Sequence, residues 1–393
     1  MTVESHSATL EELPLRIEAP PTAGGKPELP RQVLDVLQQR GVLSGRVLRL
    51  RSDSSSETIT LLAGGDFAAV VATVESRRTD LEALLAGVAG RLKPNALLVL
   101  ELRGAYPRGS ANRQAVHLLL LRSGYHQVWA HSPLCISARR APPPEGRKTC
   151  SIVVPVFNEK DTFPELMRRL LAKRLDHLGL EREIILVESN STDGTREQVA
   201  AFATTPGVKI LWQERPQGKG NAVRAGFGAA TGDIILIQDA DLEYDLNDYD
   251  ALLEPLLRDE AAFVLGSRHT GQFRMRRFTD QRVLGSVCDL AHLFFTGIIN
   301  VLYGQNMKDP FTMFKVFRRD CLYGLAFECN RFDFDHELLI KLVLKGYRPV
   351  EIPVNYWSRS FKQGKKIRFF ADPPGWIKAD LKYRLQRLRP RFE

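Results

Sequence analysis

Four apolar, β-rich runs follow one another between residues 149 and 242, and each ends in a polar cluster. "TCSIVVPV" ends in "FNE", "EIILV" in "ESNSTDGT", "VKILWQE" is followed by "QGKGN", and "DIILIQ" ends in "DADLE". Helix-like stretches separate them, such as the amphipathic "DTFPELMRRLLAKRL" and "GNAVRAGFGAA". Runs this continuously apolar suit strands buried on both faces. Repeated strand–loop–helix order predicts a mostly parallel sheet covered by helices. Ligands on such sheets bind beyond the carboxyl ends of the strands, and all four clusters fall at that edge.

The fourth cluster stands out chemically. Asp239, Asp241, Glu243 and Asp245 alternate with Ala240, Leu242 and Tyr244, in a chain whose formal net charge is +9. Two carboxylates in D-x-D spacing at a strand end can share a divalent cation. Oxygen ligands favour Mg2+ or Mn2+, ions that normally bind substrate phosphates as well. A D-x-D alone is a weak signal, since many are exposed turns; its alignment with three other polar strand ends raises its weight.

The 393 residues suggest two or three domains. "APPPEGR" (141–147) marks a linker, because consecutive prolines join neither a helix nor an inner strand. Residues 1–29 read as a flexible leader without a signal segment, and 30–140 as a smaller α/β domain. Within the latter, "FAAVVATV" and "ALLVLEL" flank the helical "DLEALLAGVAGRL". Five scattered cysteines without a CxxC pair argue against disulfides and zinc and for a reducing cytoplasm. The eight histidines show no metal-ligand spacing. No uninterrupted apolar run is long enough to span a membrane. The nearest, 287–304, is broken by Asp289, His292 and Asn300 and reads as an amphipathic or buried helix. A pI near 9.3 favours phosphate-bearing partners, and the excess is concentrated late: 359–393 holds eleven Lys or Arg against three acids.

Two resemblances add to this reading. "DFAAVV" and "LLAGVAGRLKPNALLVL" resemble the later half of a class I S-adenosylmethionine-dependent methyltransferase, implying a truncated Rossmann-like domain. The glycine-rich cofactor loop of that family has no counterpart upstream, so a structural remnant is expected. Further on, "VVPVFNE", "VESNSTDGT", "GKGNAVRAGF", "IQDADLEYD", "GSR", "DPFTMFKVFRRD" and "FDFDHELLIKLVLKGYRPVEIPV" resemble family 2 glycosyltransferases of the GT-A fold. The polyprenyl-phosphate sugar synthases of the dolichyl-phosphate mannose synthase type are the closest branch. The resemblance spans about 150–370, within a GT-A domain expected over 148–370.

That resemblance implies roles. Pro155, Asn158, Glu159, Glu188, Asp193, Lys219 and Asp239 would line the nucleotide pocket. Asp239, Asp241 and Glu243 would hold Mg2+ or Mn2+. Glu188 and Glu243 depart from the family, which often carries Asp and Gln there. Arg268 and Arg282 would act as catalytic cations, and Arg282, Arg359 and Lys365 would grip an acceptor phosphate. The expected partners are a nucleotide-sugar donor, a polyprenyl-phosphate or other lipid or glycan acceptor, and an anionic membrane surface at the cytoplasmic face; nucleic acid is not expected. A hydroxyl acceptor would require a general base, for which "RFDFDHELL" offers Asp333, Asp335 and Glu337. A bifunctional methyltransferase and a non-enzymatic nucleotide-binding module are the rival readings. The tail, 371–393, places Ile377, Leu381, Leu385 and Leu388 on one helical face, suited either to an anionic bilayer or to its own domain.

Overall fold

The computed structural model describes residues 11–16, 31–40, 44–51, 67–74, 81, 84, 85, 88, 92–102, 110–132, 135–142, 146–269, 282–331, 333–358 and 380–385. The chain divides into two compact units, Met1–Pro144 with Pro390–Glu393, and Glu145–Arg389.

The first unit is a six-stranded sheet in the order β1-β2-β3-β4-β6-β5, from β1 (Glu11–Arg16), β2 (Ser44–Arg51), β3 (Phe67–Val74), β4 (Leu97–Leu102), β5 (Tyr125–Ser132) and β6 (Cys135–Arg140). Strands β2, β3 and β4 are parallel. Between β3 and β4, Leu81, Leu84, Leu85 and Val88 are helical and buried, the spacing of one helix face. Helix α1 (Arg31–Gln39) buries Val33, Val36 and Leu37 against Ala69, Val71, Leu97 and Val99. Helix α2 (Ser110–Arg122) precedes the β5–β6 hairpin. One element was not expected: Glu11–Arg16, inside the supposed leader, pairs antiparallel with β2. Its "ELPLR" alternation suits a strand, and the lack of an N–H on Pro14 is tolerated at a sheet edge.

The second unit holds a seven-stranded sheet, ordered β13-β11-β12-β10-β7-β8-β9. Strands β7 (Lys148–Val156), β8 (Leu180–Glu188), β9 (Val208–Trp212) and β10 (Ile234–Ile237) are mutually parallel. All four residues of β10 are buried, as helices on both faces require. Strand β12 (Lys315–Arg318) runs antiparallel to both β10 and β11 (Phe263–Ser267), and β13 (Val350–Pro353) is parallel to β11. Six carboxyl ends therefore share one edge with the amino end of β12. Around the sheet lie α3 (Phe163–Ala172), α4 (Thr195–Ala200), α5 (Lys219–Ala229), α6 (Tyr249–Leu257), α7 (Arg282–Tyr303) and α8 (Asp333–Lys345). Side chains such as Ile152, Val154, Ile185, Leu236 and Phe317 are fully buried, each contributing about 1.5–3 kcal/mol by leaving water.

Candidate active site

The loops after β7 and β8 interlock. Asn158, at φ +51°, accepts the Thr192 N–H at 2.9 Å and donates its own N–H to Ser191 Oγ at 3.0 Å. The Glu159 N–H reaches Thr195 Oγ1 at 2.9 Å. Asp193 accepts the Lys160 and Thr195 N–H groups at 3.2 and 3.0 Å. Partial burial opposes its charge, but these bonds and that from the Thr195 hydroxyl hold its carboxyl below the usual range. Asp193 thus ties off the start of α4 in the manner of a cap. Pro155 lies half-buried on β7 just before this junction.

Glu188 does not present itself to a ligand. It is fully buried, accepting the Ser191 and Asn190 N–H groups at 2.7 and 3.1 Å and pairing with Arg196. The expected contact with a nucleotide base is replaced by a role in shaping the 189–194 loop. Arg196 also covers the Trp212 ring at 4.8 Å. A second bridge went unnoticed in the sequence: Ser189 Oγ donates to Gln213 Oε1 at 2.8 Å, and Gln213 Nε2 donates to Asn221 Oδ1 at 2.7 Å. It links the ends of β8 and β9 to α5.

Lys219 opens α5 with its ammonium 2.5 Å from Asp239. Burial works against that charge, but Asp239, Asp335 and Asp241 outweigh it and raise the pKa above the ordinary lysine value. The flanking glycines have a steric reason. A Cβ on Gly218 (φ +99°) would stand 2.4 Å from Asn330 O, and one on Gly220 would stand 2.3 Å from Phe334 Cβ. Gly220→Ala should therefore destabilise the unit by about 1–3 kcal/mol, the usual range for overpacking. Urea unfolding would measure it, and an unchanged midpoint would rule out the close approach.

The carboxylate comb is not an extended strand. Strand β10 ends at Ile237; Asp241 Oδ1 then accepts the Glu243 N–H at 3.1 Å, and Leu242 adopts φ +59°. This turn breaks the two-residue alternation. Glu243 is largely buried and accepts the Tyr356 hydroxyl at 2.7 Å, while Asp245 caps the next turn through the Asn247 N–H at 3.0 Å. Among the described residues no three His, Cys, Asp or Glu side chains gather to hold a metal ion, so Asp239, Asp241 and Glu243 do not form the expected trio. The donor chemistry still fits Mg2+ or Mn2+ in the mode that uses one or two carboxylates together with substrate phosphates. Asp239 is charge-paired with Lys219, and the charge of Asp241 is felt at the same ammonium.

Arg268 also departs from expectation. Its side chain is largely buried and bidentate to Asp309, at 2.8 Å from Nε and 2.7 Å from the terminal nitrogen, with its backbone N–H on the same carboxylate at 2.8 Å. Burial opposes ionisation of Asp309, yet Arg268 and His292 hold its carboxyl well below the usual carboxylate range. A guanidinium so engaged is a structural partner of Asp309 and not an open phosphate clamp. Lys315, fully buried at the start of β12, donates to Thr312 O. Burial lowers its pKa, against the pull of Asp335 and Asp309. Both Asp309 and Lys315 stand in "DPFTMFKVF", where two charges in an apolar motif were the available signal.

Glu337 is not placed to act as a base. Fully buried, it accepts the Glu328 and Cys329 N–H groups at 2.9 and 2.8 Å, the Lys341 ammonium at 2.5 Å and the Tyr383 hydroxyl at 2.8 Å. Asp333 accepts the Arg331 N–H at 3.1 Å, leaving Asp335 as the acid of this motif whose charge is felt at Lys219 and Lys315. Arg282 begins α7, but its side chain lies outside the described residues, as do Arg359 and Lys365.

Comparison with known proteins bears on this edge. Residues 151–325 match the model of "Glycosyl transferase family 2". This part of the chain is a glycosyl transferase family 2 domain. Over 221 residues the chain is 30% identical to the undecaprenyl-phosphate 4-deoxy-4-formamido-L-arabinose transferase of Sodalis glossinidius, covering 55% of this chain and 62% of that protein. It is 26% identical over 219 residues to the dolichol-phosphate mannosyltransferase of Pyrococcus furiosus, covering 55% and 58%. The chain thus spans about three fifths of the length of these curated relatives. A mannosyltransferase from Pyrobaculum calidifontis, solved with GDP-Man and Mn2+, overlaps 54% of this chain and 57% of its own at a TM-score of 0.37 and 23% identity. The GT-A assignment of the second unit rests on the family match. That match begins at Ser151 and leaves the front unit outside it.

Proposed function

We propose that the family 2 domain moves a hexose from a nucleoside-diphosphate sugar to a polyprenyl phosphate. The observation that carries this reading is the full commitment of Glu337, which removes one of the candidate bases of its motif. A hydroxyl acceptor needs a base to take its proton, whereas a lipid monophosphate arrives ionised, its second pKa being about 6. The names of both curated relatives, each a transferase to a polyprenyl or dolichol phosphate, support the same acceptor class.

On this reading the interlocked loops around Asn158, Glu159 and Asp193 form one wall of the nucleotide pocket, braced from behind by Glu188 and Arg196. Asp241, with Asp239, would hold Mg2+ or Mn2+ against the donor diphosphate, where the ion supplies Lewis-acid stabilisation of the leaving group. Lys219 keeps Asp239 oriented and adds positive charge where two anionic substrates must meet. Direct displacement inverts the anomeric centre. Arg359, Lys365 and Arg282 would hold the acceptor phosphate, for which arginine's planar fork is suited. If the acceptor were a hydroxyl instead, Asp335 would be the base. The front unit is read as a methyltransferase-like remnant.

The test is a screen of nucleotide sugars with Mg2+ or Mn2+, following nucleotide release with and without a short polyprenyl phosphate. We expect the lipid phosphate to stimulate release. Arg359→Ala should lower kcat/KM for it by roughly 10- to 150-fold, the value of one charge-assisted bond, with donor binding nearly unchanged. Wild-type behaviour of Arg359→Ala, with crippling by Asp335→Asn, would transfer the assignment to a hydroxyl acceptor.

A further inference from the structure

Glu243 is held from three sides. Its N–H donates to Asp241 Oδ1 at 3.1 Å, its carbonyl accepts the Trp357 N–H at 2.8 Å, and its carboxylate accepts the Tyr356 hydroxyl at 2.7 Å. Tyr356 stands 113 residues further along the chain, in the segment that follows β13. A carboxylate as buried as this one needs hydrogen-bond donors in place of water, and the phenol supplies one. The turn between Asp241 and Glu243 also needs support. Leu242 sits at φ +59°, which is unfavourable for a residue with a side chain and persists only where the surroundings hold it.

The contact belongs to a longer seam. Tyr244 and Tyr356 form an antiparallel bridge, and the Asp245 N–H reaches Asn355 O at 3.4 Å. Asn355 returns two bonds to Asp248, from its N–H at 2.7 Å and from its side-chain amide at 2.9 Å. The Tyr356 ring lies 5.1 Å from that of Tyr244 and beneath the Arg268 guanidinium at 5.3 Å. Arg268 is itself fixed by Asp309, so the phenol has little freedom to turn away. Burial raises the pKa of that phenol, so at neutral pH Tyr356 is the donor and Glu243 the acceptor.

We propose that Glu243 is a positioning residue and not a metal ligand: Tyr356, acting through it, fixes the turn on which Asp241 meets the divalent ion. Groups that orient a metal ligand from behind matter to affinity nearly as much as the ligand itself. The proposal rests on the reading of Asp239 and Asp241 as the carboxylates that hold the ion. It makes glutamine at 243 competent, because an amide oxygen accepts the same hydroxyl and the two backbone bonds are untouched. A ligand role predicts the opposite signs. The Tyr356 hydroxyl would then compete with the ion for Glu243, so deleting it would tighten metal binding, and glutamine would weaken it.

Mn2+ binding in the presence of UDP or GDP, followed by the paramagnetic resonance of the free ion, tests this without turnover. Tyr356→Phe and Glu243→Ala should each weaken Mn2+ binding about 10-fold. Their combination should be no worse than either alone, and Glu243→Gln should stay close to wild type. Tighter binding by Tyr356→Phe, a Glu243→Gln as weak as Glu243→Ala, or additive losses in the double variant overturns the proposal. Hydrogen exchange of the metal-free protein reads the turn independently of the ion. Exchange across 241–245 should quicken in Tyr356→Phe but not in Glu243→Gln, with β7 and β10 as slow as in wild type. Unchanged exchange across 241–245 in Tyr356→Phe also overturns it. Wild-type protein that takes up no Mn2+ with either nucleotide defeats the metal reading itself, and the exchange pattern alone then decides whether Tyr356 holds this turn.

Discussion

Replacing Asp241 by Asn should abolish sugar transfer while leaving the fold intact. The substitution removes the charge that a divalent ion requires but retains an oxygen that can accept the Glu243 N–H, so the turn at Leu242 keeps its local bond. We expect a loss of at least about 10²-fold, on the order found when a main electrostatic contributor to a transition state is deleted. Metal-dependent nucleotide binding should weaken in parallel, with little change in melting temperature. Full activity of the wild-type protein in EDTA would sink the metal assignment. Retained activity of the variant would move the ion to other ligands. The magnitude separates Asp241 from Asp245, whose Asn variant should be nearly neutral because its carboxylate caps a turn.

Asp309→Ala should be the most destabilising single change at this edge. It strands the Arg268 guanidinium in a buried site, and breaking one partner of such a pair costs about 3–5 kcal/mol. For a unit of this size that corresponds to a fall in melting temperature of roughly 10 °C. The double variant Arg268→Met/Asp309→Leu should lose much less than the two single changes added together. Strict additivity would mean that the two side chains do not act as a pair. The pH dependence has a defined sign. The folded-state pKa of Asp309 lies below its unfolded value, so the pair contributes fully above that value, about 3.9. The contribution erodes as the pH falls below about 4, because the unfolded chain then takes up a proton that the folded state refuses.

Much of this edge was legible because it obeys local rules. The parallel strands β7 to β10 could be placed from apolar runs, and their polar ends from the direction of the chain. What could not be read were decisions made by distant segments. Glu337 sits in an acidic motif that looks catalytic, yet Tyr383 and the N–H groups of 328 and 329 claim its oxygens. Arg268 and Asp309 stand 41 residues apart, and only the reversed direction of β12 brings the second to the first. The comb reads as alternation until the positive φ of Leu242 turns the chain. The polar interruptions of α7 were visible; that they face inward was decided by His292 and Asp309, not by periodicity. Glu11–Arg16 needed β2 beside it to become a strand.

"QGKGN" looks like the most pliant stretch of the edge, since glycine ordinarily loosens a chain. Its surroundings reverse that expectation. Gly218 and Gly220 allow the start of α5 to touch the backbone at Asn330 and the side chain of Phe334, and the Asn221 N–H bonds to Asn330 O at 3.1 Å. The lysine between the glycines is thus clamped between two helix starts, as a jaw is clamped in a vice. Its ammonium cannot withdraw from Asp239 by a backbone swing unless the 330–334 segment yields with it. Here the absence of side chains works as a stiffening device: it removes the spacing that would let two rigid bodies slide past each other.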